Sequence, residues 1–210
     1  MDPQVIAAMA RWPDVPDVYG WLSLSERGEW RLHPQGDALL PEHCVPDALS
    51  AGEAITSPAI LQFMNRNYAA DAAGQWYFQN GPQRVYVRLD AAPYIVHTVQ
   101  DATSSRLRTH TGHDVASVSA WWLDDSGKLY ALTDLGPALI SGRDLADLLA
   151  RLRLADGTSL LEALDSGLTD EQLIQWTGEN TTAPLRFCSA SEVAAILDFV
   201  PCPALSRIAS

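Results

Sequence analysis

Positive charge is scarce in this sequence. Lys and Arg number 14 against 26 Asp and Glu, giving a net charge of −12 and a pI near 4.6. Sequence-independent binding of nucleic acid needs a cationic surface that displaces counterions, so nucleic acid is excluded as a partner. An anionic membrane surface is excluded on the same ground. Cysteine is also rare. Cys44, Cys188 and Cys202 are odd in number and show no CxxC spacing. This predicts buried reduced thiols, not a disulfide framework or a zinc site. No apolar run approaches the ~18 residues that cross a bilayer. The opening MDPQVIAAMARWPD has neither the basic segment nor the apolar run of a signal peptide. The expected location is the cytoplasm. Catalytic signatures are missing as well: there is no GxSxG, P-loop, HExxH or GxGxxG. The chain therefore reads as non-enzymatic, without cofactor or metal. His110, His113 and Asp114 have a metal-like spacing but no further ligands beside them.

What is present is ordinary for a folded protein: 47% hydrophobic and 19% charged residues. Asp2 and Pro3 suit the start of a short helix running to about Arg11. Ser25 to Gly28 sit between two apolar runs, a hairpin signal. Residues 34–54 read as loop. Ser57 and Pro58 then open a helix with Ile60, Leu61, Met64 and Tyr68 on one face. A second hairpin turns at Asp125 to Gly127. Ser141 opens a helix with Leu145, Leu148, Leu149 and Leu152 as its stripe, Asp144 completing an acidic capping box. Three shorter helices are expected to begin at Ser159, Thr169 and Ser189. The second of them should stop before Gly178, and the tail beyond Pro203 should fray.

Trp21 to Leu32 (WLSLSERGEWRL) and Trp121 to Leu132 (WWLDDSGKLYAL) look alike, and each leads through a loop to a Ser-started amphipathic helix. The chain thus reads as an internal repeat of two hairpin-plus-helix units. The expected fold class is α+β, built of antiparallel β-hairpins and sheets with Ser-capped helices laid on them. The expected organisation is an N-terminal helical arm over 1–17, a first unit over 18–100 and a second over 101–210.

The densest stretch is GQWYFQNGPQRVYVRLDAAPY, Gly74 to Tyr94. Asn80-Gly81 invites a two-residue turn, but Pro82 would then flank it, where a ladder N–H is needed. A four-residue loop, Asn80 to Gln83, avoids the conflict. Gln79 then faces Arg84 and Tyr77 faces Tyr86, while Phe78 faces Val85. One side of the ribbon is core. The other carries Tyr77, Gln79, Arg84, Tyr86 and Arg88, two guanidiniums among phenols and amides. Such a set grips an acidic group and stacks a planar one.

Gly28-x-Trp30 followed by ILQFMNRNYAADAAGQWYFQNGPQRVYVRLDAAPY resembles an uncharacterised proteobacterial family. That family is a domain of unknown function with an RNY…D…GxWYFQNGPQRVYV core. The resemblance spans about residues 18–154, most specifically 60–94. The layout is also similar to another uncharacterised bacterial family of repeated α+β motifs, to which a signalling role is attributed. Neither resemblance implies an activity or catalytic residues. The first functional expectation is a cytoplasmic interaction or regulatory protein of the signalling kind. Its contacts with a partner protein or ligand would be Tyr77, Gln79, Arg84, Tyr86 and Arg88. The alternative is a small-molecule binder or enzyme with a pocket between the two units, near His97, Arg84 and Asn65. A homodimer through a sheet edge or helix face is a third reading.

Overall fold

The computed structural model describes residues 1–45, 51–100, 105–176 and 181–203. The expected helix stop at Gly178 and the tail beyond Pro203 lie outside them. The chain forms two compact units. The first comprises Met1–Ala91 and Asp198–Ser210, the second Ala92–Leu197. The segment from Tyr94 to Gln100, grouped with the first unit by sequence, therefore belongs to the second. Residues 198–203 return to the first.

The first unit contains α1 (Pro3–Arg11), β1 (Val18–Leu24), β2 (Trp30–Leu32), β3 (Glu53–Ala54), α2 (Pro58–Arg66), β4 (Tyr68–Ala70), β5 (Trp76–Asn80) and β6 (Gln83–Leu89). Its sheet has the order β3-β2-β1-β6-β5-β4. Leu24, Trp30, Met64 and Val87 are fully buried in its core. β1 lies parallel to β6, and the pairing is irregular between Val18 and Leu22. Gly20 sits in that irregularity at φ 84°, a backbone conformation that costs glycine little. A Cβ there would meet the carbonyl oxygen of Gly36.

The β5–β6 hairpin has the anticipated register: Tyr77↔Tyr86, Phe78↔Val85 and Gln79↔Arg84. Its loop is shorter than the four residues expected. Asn80 pairs with Gln83, leaving Gly81 and Pro82 at the centre, with Gly81 at φ 58°. Glycine at the first central position is the type II′ signature. Pro82 then occupies a place that needs no ladder N–H, which resolves the conflict with its missing donor.

The second unit contains β7 (Tyr94–Gln100), β8 (Ser105–Thr109), β9 (Val118–Asp124), β10 (Leu129–Thr133), β11 (Gly136–Ile140), α3 (Gly142–Arg151), β12 (Leu152–Leu154), α4 (Leu160–Asp165), β13 (Gln172–Trp176), β14 (Thr181–Cys188) and α5 (Val193–Ile196). Its sheet has the order β12-β13-β14-β9-β10-β11-β7-β8. Leu148, Leu149 and Leu152 enter a core with Trp121, Ile174, Trp176 and Leu185. The stretch after Thr169 is therefore strand, not helix. Leu173 is exposed while Ile174 and Trp176 are buried; the segment pairs with β14 along its length and with β12 over Ile174–Trp176. Period-two burial outweighs the local cap signal there.

Both sheets belong to an α+β architecture in which antiparallel pairs predominate. Among the described residues three strand pairs are parallel: β1 with β6, β7 with β11, and β9 with β14. The caps differ from expectation in detail. Ser57 and Ser141 occupy N-cap positions without a side-chain cap bond, whereas Ser159 and Glu162 close a full capping box. At Ser141 the backbone carbonyl takes the Asp144 N–H, and the Asp144 carboxylate turns to His97 and Thr98.

The cysteines overturn the reading of them all as reduced thiols. Cys44 and Cys202 form a disulfide across a sequence separation of 158, while Cys188 is free. The returning segment makes the pairing, which no local spacing signals. The Leu89 N–H donates to the Pro201 carbonyl, the Val200 N–H donates to the Gly74 carbonyl, and Val200 bridges Gln75. No helix among the described residues is long and apolar enough to cross a membrane. Opening so long a loop costs up to about 5 kcal/mol in the chain-entropy limit. The Cys202→Ser variant should therefore melt several degrees below wild type, and reductant should lower the wild-type Tm without moving the variant's. Equal melting of oxidised and reduced protein would contradict this.

Candidate functional site

Tyr77, Gln79, Arg84, Tyr86 and Arg88 alternate with core residues along β5 and β6, and cross-strand pairing gathers them on one face. Most of that face is covered. Tyr77, Gln79, Tyr86 and Arg88 are buried, and only Arg84 keeps intermediate exposure. Tyr19 from β1 stacks flat on Tyr86, with ring centroids 4.6 Å apart and planes 8° off parallel. Tyr77 meets Tyr86 edge-on at 5.7 Å, and the Arg84 guanidinium lies 4.8 Å over the Tyr77 ring. The result is one column: Tyr19, Tyr86, Tyr77, Arg84.

Asp71 anchors the column. Its Oδ1 accepts the backbone N–H groups of Ala73 and Gln75, closing the turn into β5. Its Oδ2 accepts the Tyr86 hydroxyl at 3.0 Å and the Gln75 amide at 3.2 Å. Desolvation pushes the Asp71 pKa up, but these hydrogen bonds outweigh it, led by the Gln75 N–H, and hold it below its ordinary value. Burial, with Asp71 beside it, drives the Tyr86 phenol above its ordinary value, against the hydrogen bond from Arg84.

Arg88 is fully buried. Its Nε donates to Asp90 at 2.9 Å, and one Nη donates to the carbonyls of Ala38 and His43. It is occupied within the fold and presents nothing to a partner.

Arg84 opens onto a cleft of about 650 Å³ whose walls include Trp12, Asp14, Asp17, Gln79 and Pro82. The Gln83 amide donates to the Pro16 carbonyl at 3.1 Å and fastens the loop after α1 against β6. Desolvation lowers the Arg84 pKa, but the neighbouring Tyr86 and Tyr77 phenols outweigh it and raise the value. No carboxylate among the described residues lies within ion-pair distance of it. Gln79 donates through Nε2 to the Gly81 carbonyl at 2.9 Å, which fixes its amide orientation. Its Oε1 is buried with no hydrogen-bond partner among the described residues.

The sheet's opposite face holds a second concavity. Val18, Trp21, Leu32, Ile60, Phe78 and Val85 are among the walls of an apolar groove of about 750 Å³. Trp21, Leu32 and Ile60 each leave more than a third of their surface exposed. The irregularity at Gly20 puts Trp21 on the same wall as Leu22, its neighbour, where a regular strand would send the two to opposite faces.

The remaining candidates are engaged locally. In the first unit, Asn65 Oδ1 accepts the Trp30 indole N–H at 2.8 Å. In the second unit, His97 Nδ1 lies 3.0 Å from Asp144. His110 keeps intermediate exposure, yet desolvation of its ring lowers its pKa to about 3, while its Nδ1 accepts the Ile95 N–H. Asp114 takes the Arg108 guanidinium at 2.6 Å. Among the described residues no group of three or more His, Cys, Asp or Glu is placed to hold a metal. Sequence reasoning missed Tyr19, Asp71, Trp12 and Asp17 as members of the site. Asp71, three residues before the turn glycine Gly74, was readable as a loop closer. Its reach to Tyr86 was not.

The folded-state pKa of Asp71 is depressed, so its contribution to stability is present above the ordinary carboxylate pKa of about 4 and is lost as pH falls through the folded value. Tyr86→Phe should cost about 1–2 kcal/mol in chemical denaturation at neutral pH and raise the Asp71 pKa towards its ordinary value. NMR titration of the carboxyl carbon reads this directly. An unchanged titration would break the Asp71–Tyr86 link.

No curated protein sequence matches this chain. Among solved structures, it is similar to a DUF1285 family protein from Silicibacter pomeroyi DSS-3. That match has a TM-score of 0.50 at 15% identity, covering 89% of this chain and 96% of the other. A DUF1285 family protein from Shewanella baltica OS155 matches with a TM-score of 0.41 and 11% identity, covering 61% and 89%. The first likeness is one of fold. The family model DUF2944, described as "Protein of unknown function (DUF2946)", matches residues 1–204. A match over nearly the whole length settles membership: the chain belongs to this family of unknown function.

Proposed function

We propose that the protein is a non-enzymatic interaction protein of regulatory, signalling-related role, and that its Arg84 cleft receives an acidic or planar group of a partner. The observation that carries this is the state of Arg84. Its guanidinium lies over the Tyr77 ring, keeps intermediate exposure, and faces a cleft of about 650 Å³ without an ion-paired carboxylate among the described residues. A pre-oriented guanidinium binds a carboxylate with little further ordering cost. Tyr77 and Tyr86 act behind it, as its mount, while Gln79 lies on the cleft wall. The apolar groove favours a second reading, a binder of small apolar molecules, since ligand sites are commonly concave, apolar and of this size.

Two further readings belong with this one. The hairpin-and-helix series β1-β2-β3-α2-β4-β5-β6 and β9-β10-β11-α3-β12-β13-β14 give the same strand order, including one parallel pair each, and this supports an origin by duplication. In a cytoplasmic location the Cys44–Cys202 bond would face a reducing thiol pool, where lasting disulfides are rare. Alkylation of free thiols in intact cells, followed by mass measurement, decides that point.

Benzoate, both acidic and planar, tests the cleft. In wild type it should shift the Arg84 Nε–H and Trp12 indole NMR signals saturably. Arg84→Gln should weaken it about ten-fold or more, the worth of a charged hydrogen bond. Equal affinity in the variant, with its fold intact by circular dichroism, sinks the reading.

A further inference from the structure

Arg84 is not the only charge on the cleft. Asp14 and Asp17 line the same walls. Asp17 lines the cleft with Arg84 and is the least of the groups, after the Tyr86 and Tyr77 phenols, that raise the Arg84 pKa against desolvation; the two form no ion pair within 4.0 Å. Opposite charges that could neutralise one another are thus held apart across an open space. A simple anion drawn to Arg84 meets the repulsion of two carboxylates. A simple cation drawn to Asp17 meets the guanidinium. A ligand carrying both signs a short distance apart satisfies both walls.

Gln79 adds an independent observation. It is fully buried, lines the cleft, and its Oε1 is an acceptor with no partner among the described residues. An unpartnered buried acceptor costs free energy unless something donates to it. An ammonium group has three donors, enough to serve Gln79 and an aspartate together. Trp12, half-exposed on the same cleft, offers an indole wall for an apolar or aromatic substituent.

We infer that the Arg84 cleft binds a small zwitterion, an α-amino acid, with its carboxylate on Arg84, its ammonium between Asp17 and Gln79 Oε1, and its side chain along Trp12. This rests on the reading of Arg84 as the contact for an acidic group and makes that group one half of a dipolar ligand.

The test uses the full chain. The standard L-amino acids are screened by thermal shift. The best of them is then titrated by calorimetry beside its matched carboxylate lacking the amino group and its matched amine lacking the carboxyl group. The expected result is binding of the amino acid, with both matched compounds weaker by about ten-fold or more. Asp17→Asn, a change at an exposed residue, should reduce the amino acid to the affinity of its matched carboxylate. Arg84→Gln should abolish binding of both. If the carboxylate binds as tightly as the amino acid and Arg84→Gln abolishes it, the zwitterion is overturned while the acidic-group reading stands. If no amino acid binds, or Asp17→Asn leaves the preference intact, the inference also falls. If carboxylates bind regardless of Arg84→Gln, both readings fall.

Discussion

The guanidinium of Arg88 has no exposed surface, and much of the first unit is arranged to make that tolerable. A buried cation is costly unless charge and hydrogen bonds replace the lost water. Asp90, two residues on, supplies the charge, and burial in turn pushes the Asp90 pKa up against the pull of Arg88. The carbonyls of Ala38 and His43 supply further acceptors and so pin the loop after β2 against β6. Cys44 follows His43 directly, so the loop that serves Arg88 is also the loop that the disulfide ties to the returning segment. Charge burial, loop placement and cross-linking are one connected arrangement.

The aromatic column uses the same sheet face differently. Arg88 is enclosed because acceptors surround it. Arg84, four residues earlier and on the same face, has aromatic neighbours that orient without neutralising it. Phenol rings attract a cation through their faces but leave its N–H groups available. This difference in neighbours separates an arginine enclosed in the fold from one that opens onto a cleft, although the two are equivalent by period. The groove on the opposite face has a similar contrast across units. α3 sends Leu148 and Leu149 into its core, whereas α2 buries only Met64 and leaves Ile60 half outside.

The sequence made the alternation on β5 and β6 readable, because cross-strand partners must share a face and Pro82 constrains where the turn can lie. It also made α3 readable from its leucine stripe. It could not separate Arg84 from Arg88, since what covers each comes from the loops around 38–43 and 12–17, far away in the chain. β13 was misread because Thr169 and Gln172 imitate a helix start, while the real determinant is pairing on both flanks. Parallel partners such as β1 with β6 are joined by long crossovers and leave no local mark. The Cys44–Cys202 pair is hidden for the same reason.

The returning segment fixes an order of events during synthesis. Leu89 and Gly74 find their hydrogen-bond partners at Pro201 and Val200, and Cys44 finds its own at Cys202. Every one of those partners leaves the ribosome after all of Ala92–Leu197. Domains usually complete themselves from the N-terminus as they emerge. Here the unit that begins first finishes last: its six strands are all made by Leu89, but the backbone groups of Leu89 and Gly74 and the Cys44 thiol stay unsatisfied until the inserted unit has been made.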